Sequence, residues 1–168
     1  LRDNPHWPGY GDVEIVSGSN VARTGTKSLR HRNTSTLDSN NTSYTLGFNS
    51  GSQSVSVANV SEGETYIFSA HGKASGSTVD SIGRLRMFEL DSNENVVNWD
   101  EDVNSSQVSI TSLGGLKSSE TIGLVEDEWK QIVVEKTIRF PNTSKLGIRF
   151  ENMKPGSTIF WDDVSLRK

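Results

Sequence analysis

The side chains that could carry out catalysis are few in this chain and widely separated. Its three histidines, His6, His31 and His71, share no spacing that would hold a metal, and there is no cysteine to act as a nucleophile or to bind zinc. The sequence also lacks the HExxH, GxSxG, GxxxxGK[ST] and GxGxxG motifs. Its 21 acidic residues could include a glycosidase pair, but spacing in the sequence does not show one. The residue types therefore give little support to catalysis.

Basic side chains, in contrast, recur at alternate positions. His71 and Lys73 are two residues apart, as are Arg84 and Arg86, and Arg149 lies between apolar neighbours. Alternate residues of a β-strand lie on the same face of a sheet. If the three segments share a sheet, these side chains form one basic surface. Arginine pairs bidentately with a planar carboxylate, so the chemistry to expect there is binding of an acidic ligand.

A second candidate for chemistry is the acidic pair Asp162-Asp163 near the carboxyl end. Strand alternation puts Asp162 on the same face as Val164 and Leu166, which are typical core residues, and Trp161 on the opposite face. A carboxylate on a core face must be hydrogen-bonded, paired or bound to a metal. In cysteine-free surroundings rich in oxygen, that metal would be calcium rather than zinc. Backbone hydrogen bonds to Asp162 are the alternative.

The segments that carry these residues are predicted to be strands. Apolar and polar residues alternate in the ranges 66–73, 84–87, 145–150 and 157–166, and the range 130–138 is rich in Ile, Val and Thr. Turn-forming clusters of Gly, Ser, Asn, Asp and Pro separate these ranges, and helical periodicity is not found. Many short strands with regular turns predict an all-β fold, an antiparallel β-sandwich (jelly roll), as a single domain over residues 1–168.

Composition narrows the class of protein further. With 168 residues, of which 32% are hydrophobic, the chain is long enough to bury one core and too apolar for a disordered segment. A net charge of −4 argues against nucleic acid as a partner. The apolar runs are too short to span a membrane. The first residue is Leu1, which suggests a mature fragment or an excised module.

Three segments resemble the β-sandwich carbohydrate-binding modules of families 4, 9, 16 and 22. The range 21–30, VARTGTKSLR, is similar to their A-x-x-G-x-x-S-L strand entry. The range 60–74, which contains GETYIFSAHGKA, is similar to their V-x-x-G-x-x-Y-x-x-S-A-x-x-K-A stretch. Trp129 and the closing segment FWDDVSL are similar to their W-x-x strand and terminal D-D-V-S-L. The motifs occur in order across almost the whole chain.

The resemblance implies a non-catalytic, monomeric domain that binds polysaccharide and is linked to a polysaccharide-degrading enzyme secreted by a bacterium. It also implies a structural calcium ion that joins the last strand to the first loops. Asp162 would supply the carboxylate, and carbonyl groups around Thr26 or Lys27 would complete the shell. The opening N-x-G-F-E segment of the family, whose glutamate binds calcium, does not occur before Trp7. Calcium and a hydrogen-bonded Asp162 are therefore alternatives.

By the same resemblance, the strands that carry the basic residues belong to one sheet whose outer face is a ligand groove. The residues expected to bind carbohydrate are His71, Lys73, Arg84, Arg86, Phe88, Trp99 and Arg149, with Trp99 as a platform on which a sugar stacks. The charge favours an acidic polysaccharide such as alginate. The alternatives are a neutral β-glucan, xylan or mannan; a small lyase with His71 as the base beside Arg84 or Arg86; and a spacer domain without a ligand.

Overall fold

Strands make up most of the described part of the chain. In the computed structural model, the described residues are 12–33, 44–46, 48–49, 53–54, 56–75, 81–95, 97, 119–124, 127–152, 154 and 156–168. Within these ranges there is no helix, and so none that could cross a membrane. The strands are β1 (Asp12–Ser17), β2 (Lys27–Arg32), β3 (Tyr44–Leu46), β4 (Phe48–Asn49), β5 (Gln53–Ser54), β6 (Ser56–Asn59), β7 (Thr65–Ser75), β8 (Ser81–Leu90), β9 (Ser119–Leu124), β10 (Lys130–Thr137), β11 (Lys145–Asn152) and β12 (Thr158–Arg167).

Two antiparallel sheets pack face to face. Sheet A has the strand order β1-β2-β12-β7-β10, and sheet B has the order β3-β11-β8-β9, with β6 also paired to β11. Strands β4 and β5 form a small ribbon. Consecutive strands β7 and β8 lie in opposite sheets, as do β10 and β11, and β11 and β12. The all-β sandwich predicted from the sequence is therefore confirmed.

Strand alternation fills the space between the sheets. Phe68 and Ala70 of β7 and Leu85 and Met87 of β8 are all 0% exposed, as alternation predicted. Phe150 of β11 meets Phe68 across the sandwich, with 5.4 Å between the ring centroids in an edge-to-face arrangement. Fully burying a side chain of this size contributes roughly 1.5–3 kcal/mol. The shared core is therefore the main interaction that holds the two sheets together.

Two glycines make room for the largest side chain of the core. Trp161 is 1% exposed, and its ring centroid lies 5.3 Å from that of Phe150. A Cβ atom on Gly72 would lie 2.8 Å from Leu124 and 3.2 Å from the Trp161 ring, and a Cβ atom on Gly83 would lie 2.9 Å from both. Contacts this short would force neighbouring atoms to move. The indole therefore fits because these two positions, one in each sheet, have no side chain.

An irregularity in β12 explains why Trp161 is in the core and Asp162 is not. The register between β12 and β7 shifts after Asp162, and Asp163 has a positive φ of 48°. Alternation counted back from Leu166 across this bulge is out of phase by one residue. The prediction that Asp162 lies on the core face and Trp161 on the other face is therefore wrong. Val164, which was expected in the core, is 51% exposed.

A buried ion pair also joins the sheets. Lys136 of β10 lies 3.1 Å from Oε1 of Glu89 on β8, and the two side chains are 6% and 3% exposed. Oε2 of Glu89 accepts hydrogen bonds from the Thr143 hydroxyl at 2.7 Å and from the N–H groups of Arg139 and Phe140 at 3.1 Å. Burial raises the pKa of Glu89, but these hydrogen bonds and the charge of Lys136 lower it overall. The carboxylate is therefore held in its charged form between the sheets.

Candidate functional site

The outer face of sheet B carries arginines grouped around one carboxylate. In the pairing of β8 with β11, Arg86 lies opposite Arg149, and Arg84 lies opposite Glu151. Leu85, between the two β8 arginines, is fully buried in the core, so alternation turns the charged side chains to the outer face. We refer to Arg84, Arg86, Arg149 and Glu151 as the arginine cluster. The three arginines therefore lie on one face of sheet B, as strand alternation predicted, and they do so around an acidic neighbour.

Glu151 is the centre of the arginine cluster. Its side chain is 0% exposed and contacts all three guanidinium groups. Nε of Arg84 donates a hydrogen bond to Oε2 of Glu151, while Nε of Arg86 and Nη1 of Arg149 lie 3.7 Å and 3.5 Å from Oε1. A buried carboxylate needs such partners, because an unpaired buried charge is strongly unfavourable. Glu151 therefore holds together three positive groups that would otherwise repel one another.

An aromatic ring packs against one of these guanidinium groups. Cζ of Arg149 lies 4.7 Å from the centroid of the Phe88 ring, which is within the range of a cation–π contact. Burial lowers the pKa of Arg149 to about 10, with Glu151 opposing the shift and Arg86 adding to it, so the group stays charged at neutral pH. Phe88 itself is 1% exposed. It lies on the predicted face, but it packs under Arg149 instead of facing solvent.

Access of solvent to the arginine cluster is limited. The side chains of Arg84, Arg86 and Arg149 are 10%, 13% and 11% exposed. The sequence predicted an open groove with the guanidinium groups in solvent, and the structure differs because the groups turn toward Glu151. A ligand here would meet the edges of guanidinium groups that are already ordered. Such binding would cost little additional side-chain entropy.

The prediction that His71 and Lys73 share this face is wrong. Both residues lie on β7 in sheet A, whereas β8 and β11 belong to sheet B. The family resemblance predicted these strands in one sheet, but the chain crosses the sandwich between β7 and β8. The same topology separates His71 from Arg84 and Arg86. The placement of His71 beside Arg84 or Arg86, which the lyase hypothesis used as its example, is therefore also wrong.

Lys73 instead anchors the loop that joins β1 to β2. Its Nζ donates a hydrogen bond to the carbonyl oxygen of Asn20 at 2.7 Å. The same atom lies 5.3 Å from the ring centroid of Trp129 and 6.0 Å from that of Phe160. Lys73 is 7% exposed, so the two rings and the loop enclose most of it. Its contacts are those of a side chain that holds the loop in place.

Two adjacent carboxylates on β12 hold the same loop. Oδ2 of Asp162 accepts hydrogen bonds from the N–H groups of Arg23 and Thr24 at 2.7 Å and 3.1 Å, and Oδ1 accepts one from the N–H of Asp163 at 2.8 Å. Asp163 accepts hydrogen bonds from the Thr24 hydroxyl and the Arg23 guanidinium, which lower its pKa against the opposing effect of burial. We refer to Arg23, Thr24, Asp162 and Asp163 as the acidic corner.

The described residues of the acidic corner do not fit a calcium ion. Calcium takes about six to eight oxygen ligands. Both oxygens of Asp162 already accept N–H groups, and the Thr26 carbonyl accepts a backbone N–H at 3.0 Å. Lys27, the other predicted carbonyl donor, is the first residue of β2. Among the described residues there is no group of three or more His, Cys, Asp or Glu side chains able to hold a metal. Calcium at Asp162 stays a prediction.

Three residues of these sites, Glu151, Arg23 and Thr24, were not identified as functional from the sequence. Glu151 follows Arg149 by two residues, so alternation places it on the arginine face, and that pattern was the available signal. Arg23 lies in a turn, and nothing in the sequence indicates its contact with Asp163, which is 140 residues away. Trp99, the predicted stacking platform, lies outside the described residues.

The same fold occurs in solved carbohydrate-binding modules. The CBM22-1 xylan-binding domain of Paenibacillus barcinonensis Xyn10C is 11% identical over 95% of this chain and 84% of that chain, with a TM-score of 0.52. The CBM22-1–GH10 modules of Clostridium thermocellum Xyn10B, complexed with xylohexaose, are 17% identical over 94% of this chain and 24% of that chain, with a TM-score of 0.57. TmCBM61, in complex with β-1,4-galactotriose, is 17% identical over 96% of this chain and 88% of that chain, with a TM-score of 0.52.

Sequence identities of 11% and 17% establish a shared fold, and they do not establish a shared ligand or function. No protein-family model matches the chain, and no curated protein matches it in sequence. The fold is that of the β-sandwich carbohydrate-binding modules that the sequence motifs resemble. The predicted resemblance is therefore confirmed at the level of structure.

Proposed function

We propose that this chain is a non-catalytic carbohydrate-binding module whose polysaccharide ligand lies across the outer face of sheet B. The observation that carries this proposal is the arginine cluster, in which one buried carboxylate orders three guanidinium groups on a single face. The fold around it is shared with a xylan-binding domain and with a module in complex with β-1,4-galactotriose. Guanidinium groups present several N–H donors in one plane, which suits the closely spaced oxygens of a sugar.

We propose an acidic polysaccharide, such as alginate or another polyuronate, as the ligand. The arginine cluster brings three guanidinium groups together on one face of a chain whose net charge is −4. A uronate carboxylate is planar and can accept two parallel hydrogen bonds from a guanidinium group. Local positive charge would also attract the polymer from solution.

A neutral glycan such as xylan, β-glucan or mannan is the second candidate. Glu151 contacts all three arginines, so part of their charge is neutralised within the protein. Guanidinium groups also donate hydrogen bonds to hydroxyl oxygens, which carry no charge. Because salt screens charges, binding of a neutral glycan should persist at high salt concentration, whereas binding of a polyuronate should weaken.

The proposed role is to bring an attached enzyme to its polymer. A module that binds the polymer weakly raises the effective concentration of any catalytic domain linked to it. The Xyn10B structure contains a module of this fold together with a GH10 module. We propose a similar covalent link to a polysaccharide-degrading domain in a secreted bacterial protein, with the module itself monomeric.

Affinity electrophoresis in gels that contain alginate, xylan or no polymer tests this proposal. Arg86→Gln removes one charge from the cluster, and its contact with Glu151, at 3.7 Å, is the longest of the three. We expect alginate to retard the unaltered protein and Arg86→Gln to bind about tenfold more weakly, which is the loss of about one charge-assisted pair. The matched control is Arg167→Gln, which changes an exposed arginine in sheet A and should migrate like the unaltered protein.

The possible outcomes separate the candidate functions. Retention in xylan and not in alginate would reject the acidic ligand and support the neutral one. Equal retention of Arg86→Gln and the unaltered protein would reject the outer face of sheet B as the site. Retention in neither polymer would contradict polysaccharide binding and favour a spacer domain.

A further inference from the structure

The acidic corner lies where the family resemblance implies a calcium ion, yet a side chain of this chain balances its charge. Asp162 and Asp163 are adjacent carboxylates at the bulge of β12. The guanidinium group of Arg23 contacts Asp163, and the backbone N–H of the same residue donates to Asp162 at 2.7 Å. Arg23 therefore contacts both carboxylates, one through its side chain and one through its backbone.

We propose that Arg23 takes the place of a structural calcium ion, so that the loop between β1 and β2 is fixed to β12 without a metal. A structural ion at this position would join segments that are distant in sequence. Arg23 makes the same connection across 139 residues to Asp162 and 140 residues to Asp163. A divalent ion bound between these carboxylates would face the guanidinium charge at close range, and the two cations would repel.

The neighbouring basic side chains have other contacts, which leaves this role to Arg23. Lys73 donates to the carbonyl oxygen of Asn20 and lies against two aromatic rings. His71 lies opposite Asp162 in the pairing of β7 with β12. Among the described residues, Arg23 is the basic side chain that forms an ion pair with the acidic corner.

Thermal unfolding in the presence of calcium or of a chelator tests the proposal. The unaltered protein should have the same Tm in calcium and in EGTA, and calorimetry should detect no saturable calcium binding. Arg23→Gln should lower the Tm by about 2–4 °C, a modest shift because the Arg23 and Asp163 side chains are 39% and 26% exposed. Arg23→Lys, which keeps the charge, should lose less, and Arg167→Gln, an exposed arginine on the same strand as the carboxylates, should show no shift.

A double variant tests whether the effect of Arg23→Gln comes from its contact with Asp163. In an Asp163→Asn background, Arg23→Gln should produce a smaller further shift than it does alone, because the partner of the guanidinium charge is already absent. A lower Tm of the unaltered protein in EGTA, or saturable calcium binding, would overturn the proposal and restore the calcium site. An unchanged Tm in Arg23→Gln would overturn it as well. None of these measurements depends on polysaccharide binding, so they fail or succeed independently of the proposed function.

Discussion

The outer faces of the two sheets carry the same kinds of charged residue and use them differently. On sheet A, Lys73 donates to the carbonyl oxygen of Asn20 and lies 3.9 Å from the carboxylate of Asp127, and Asp163 pairs with Arg23, so the charges of this face hold neighbouring segments of the chain. On sheet B, three arginines of two neighbouring strands share the single carboxylate of Glu151. The contacts of sheet A fix a loop to the sheet, whereas those of sheet B gather three guanidinium groups at one place on the outer face.

The difference cannot be read from residue type alone. Lys73 and Arg84 occupy equivalent alternating positions on consecutive strands, and both are almost buried. They differ in what packs next to them, which is a loop carbonyl and two rings for Lys73 and a buried carboxylate for Arg84. If the comparison is right, changes on sheet A should alter stability without altering binding, and changes on sheet B should alter binding.

Protonation of His31, which is buried in the sandwich, should have the largest effect on stability, because the packing of both sheets depends on this interior. His31 on β2 is 1% exposed, and burial lowers its pKa from 6.5 to about 4, with the charge of Glu151 opposing. Between these two values the unfolded chain binds a proton that the folded chain does not, so stability falls as the pH falls. The difference corresponds to about 3 kcal/mol of unfolding free energy lost between neutral pH and pH 4.

Urea unfolding at a series of pH values measures this loss. The control is His31→Phe, which keeps an aromatic side chain of similar size and removes the titrating group. Its unfolding free energy should vary less over the same pH range. An equally steep decline in His31→Phe would show that other groups cause the acid sensitivity.

Removing the charge of Lys73 should have the next largest effect, and on stability alone. Lys73→Met keeps the aliphatic stem but loses the hydrogen bond to Asn20 and the contacts with the Trp129 and Phe160 rings. We expect an unfolding free energy lower by about 2 kcal/mol. Retention by polysaccharide gels should not change, because Lys73 lies in the sheet opposite to the arginine cluster. Lys27→Met, at an exposed lysine of β2 in the same sheet, is the control for stability.

A loss of retention in Lys73→Met at a temperature where the variant is folded would contradict the comparison. It would place the ligand on sheet A, where His71 and Lys73 lie. Unchanged retention with lowered stability would separate the anchoring face from the binding face.

The sequence allowed prediction of those features that depend on neighbours along the chain. Alternation within β7 and β8 correctly placed Phe68, Ala70, Leu85 and Met87 in the core, because the side chains of a regular strand alternate between faces. The same rule placed Arg84 and Arg86 on the outer face of their strand. The turn residues between the strands and the family motifs then led to the sandwich.

Features that depend on distant parts of the chain were missed or predicted wrongly. Alternation shows which face a residue occupies, but not which sheet its strand joins, so His71 and Lys73 were grouped with arginines of the opposite sheet. The bulge after Asp162 shifts the alternation of buried and exposed residues in β12 by one position, and no residue type in that segment indicates a bulge. The contact of Arg23 with Asp163 spans 140 residues and forms only when the sheets assemble.

Added salt should affect ligand binding on sheet B while it changes the stability of the protein less than either of the two changes above. The carboxylate of Glu151 is fully buried, and screening acts mainly on exposed charges, so raising the salt concentration should change the unfolding free energy by no more than about 0.5 kcal/mol. Binding to alginate should nevertheless weaken, because the polymer approaches the arginine cluster through solvent. Binding of Arg86→Gln should depend on salt less steeply, since one charge is missing.

Measuring alginate retention and urea unfolding at the same salt concentrations tests both statements. A salt-independent affinity for alginate would mean that the charge of the arginine cluster does not contribute to binding, and the contrast between the two faces would then rest on packing alone.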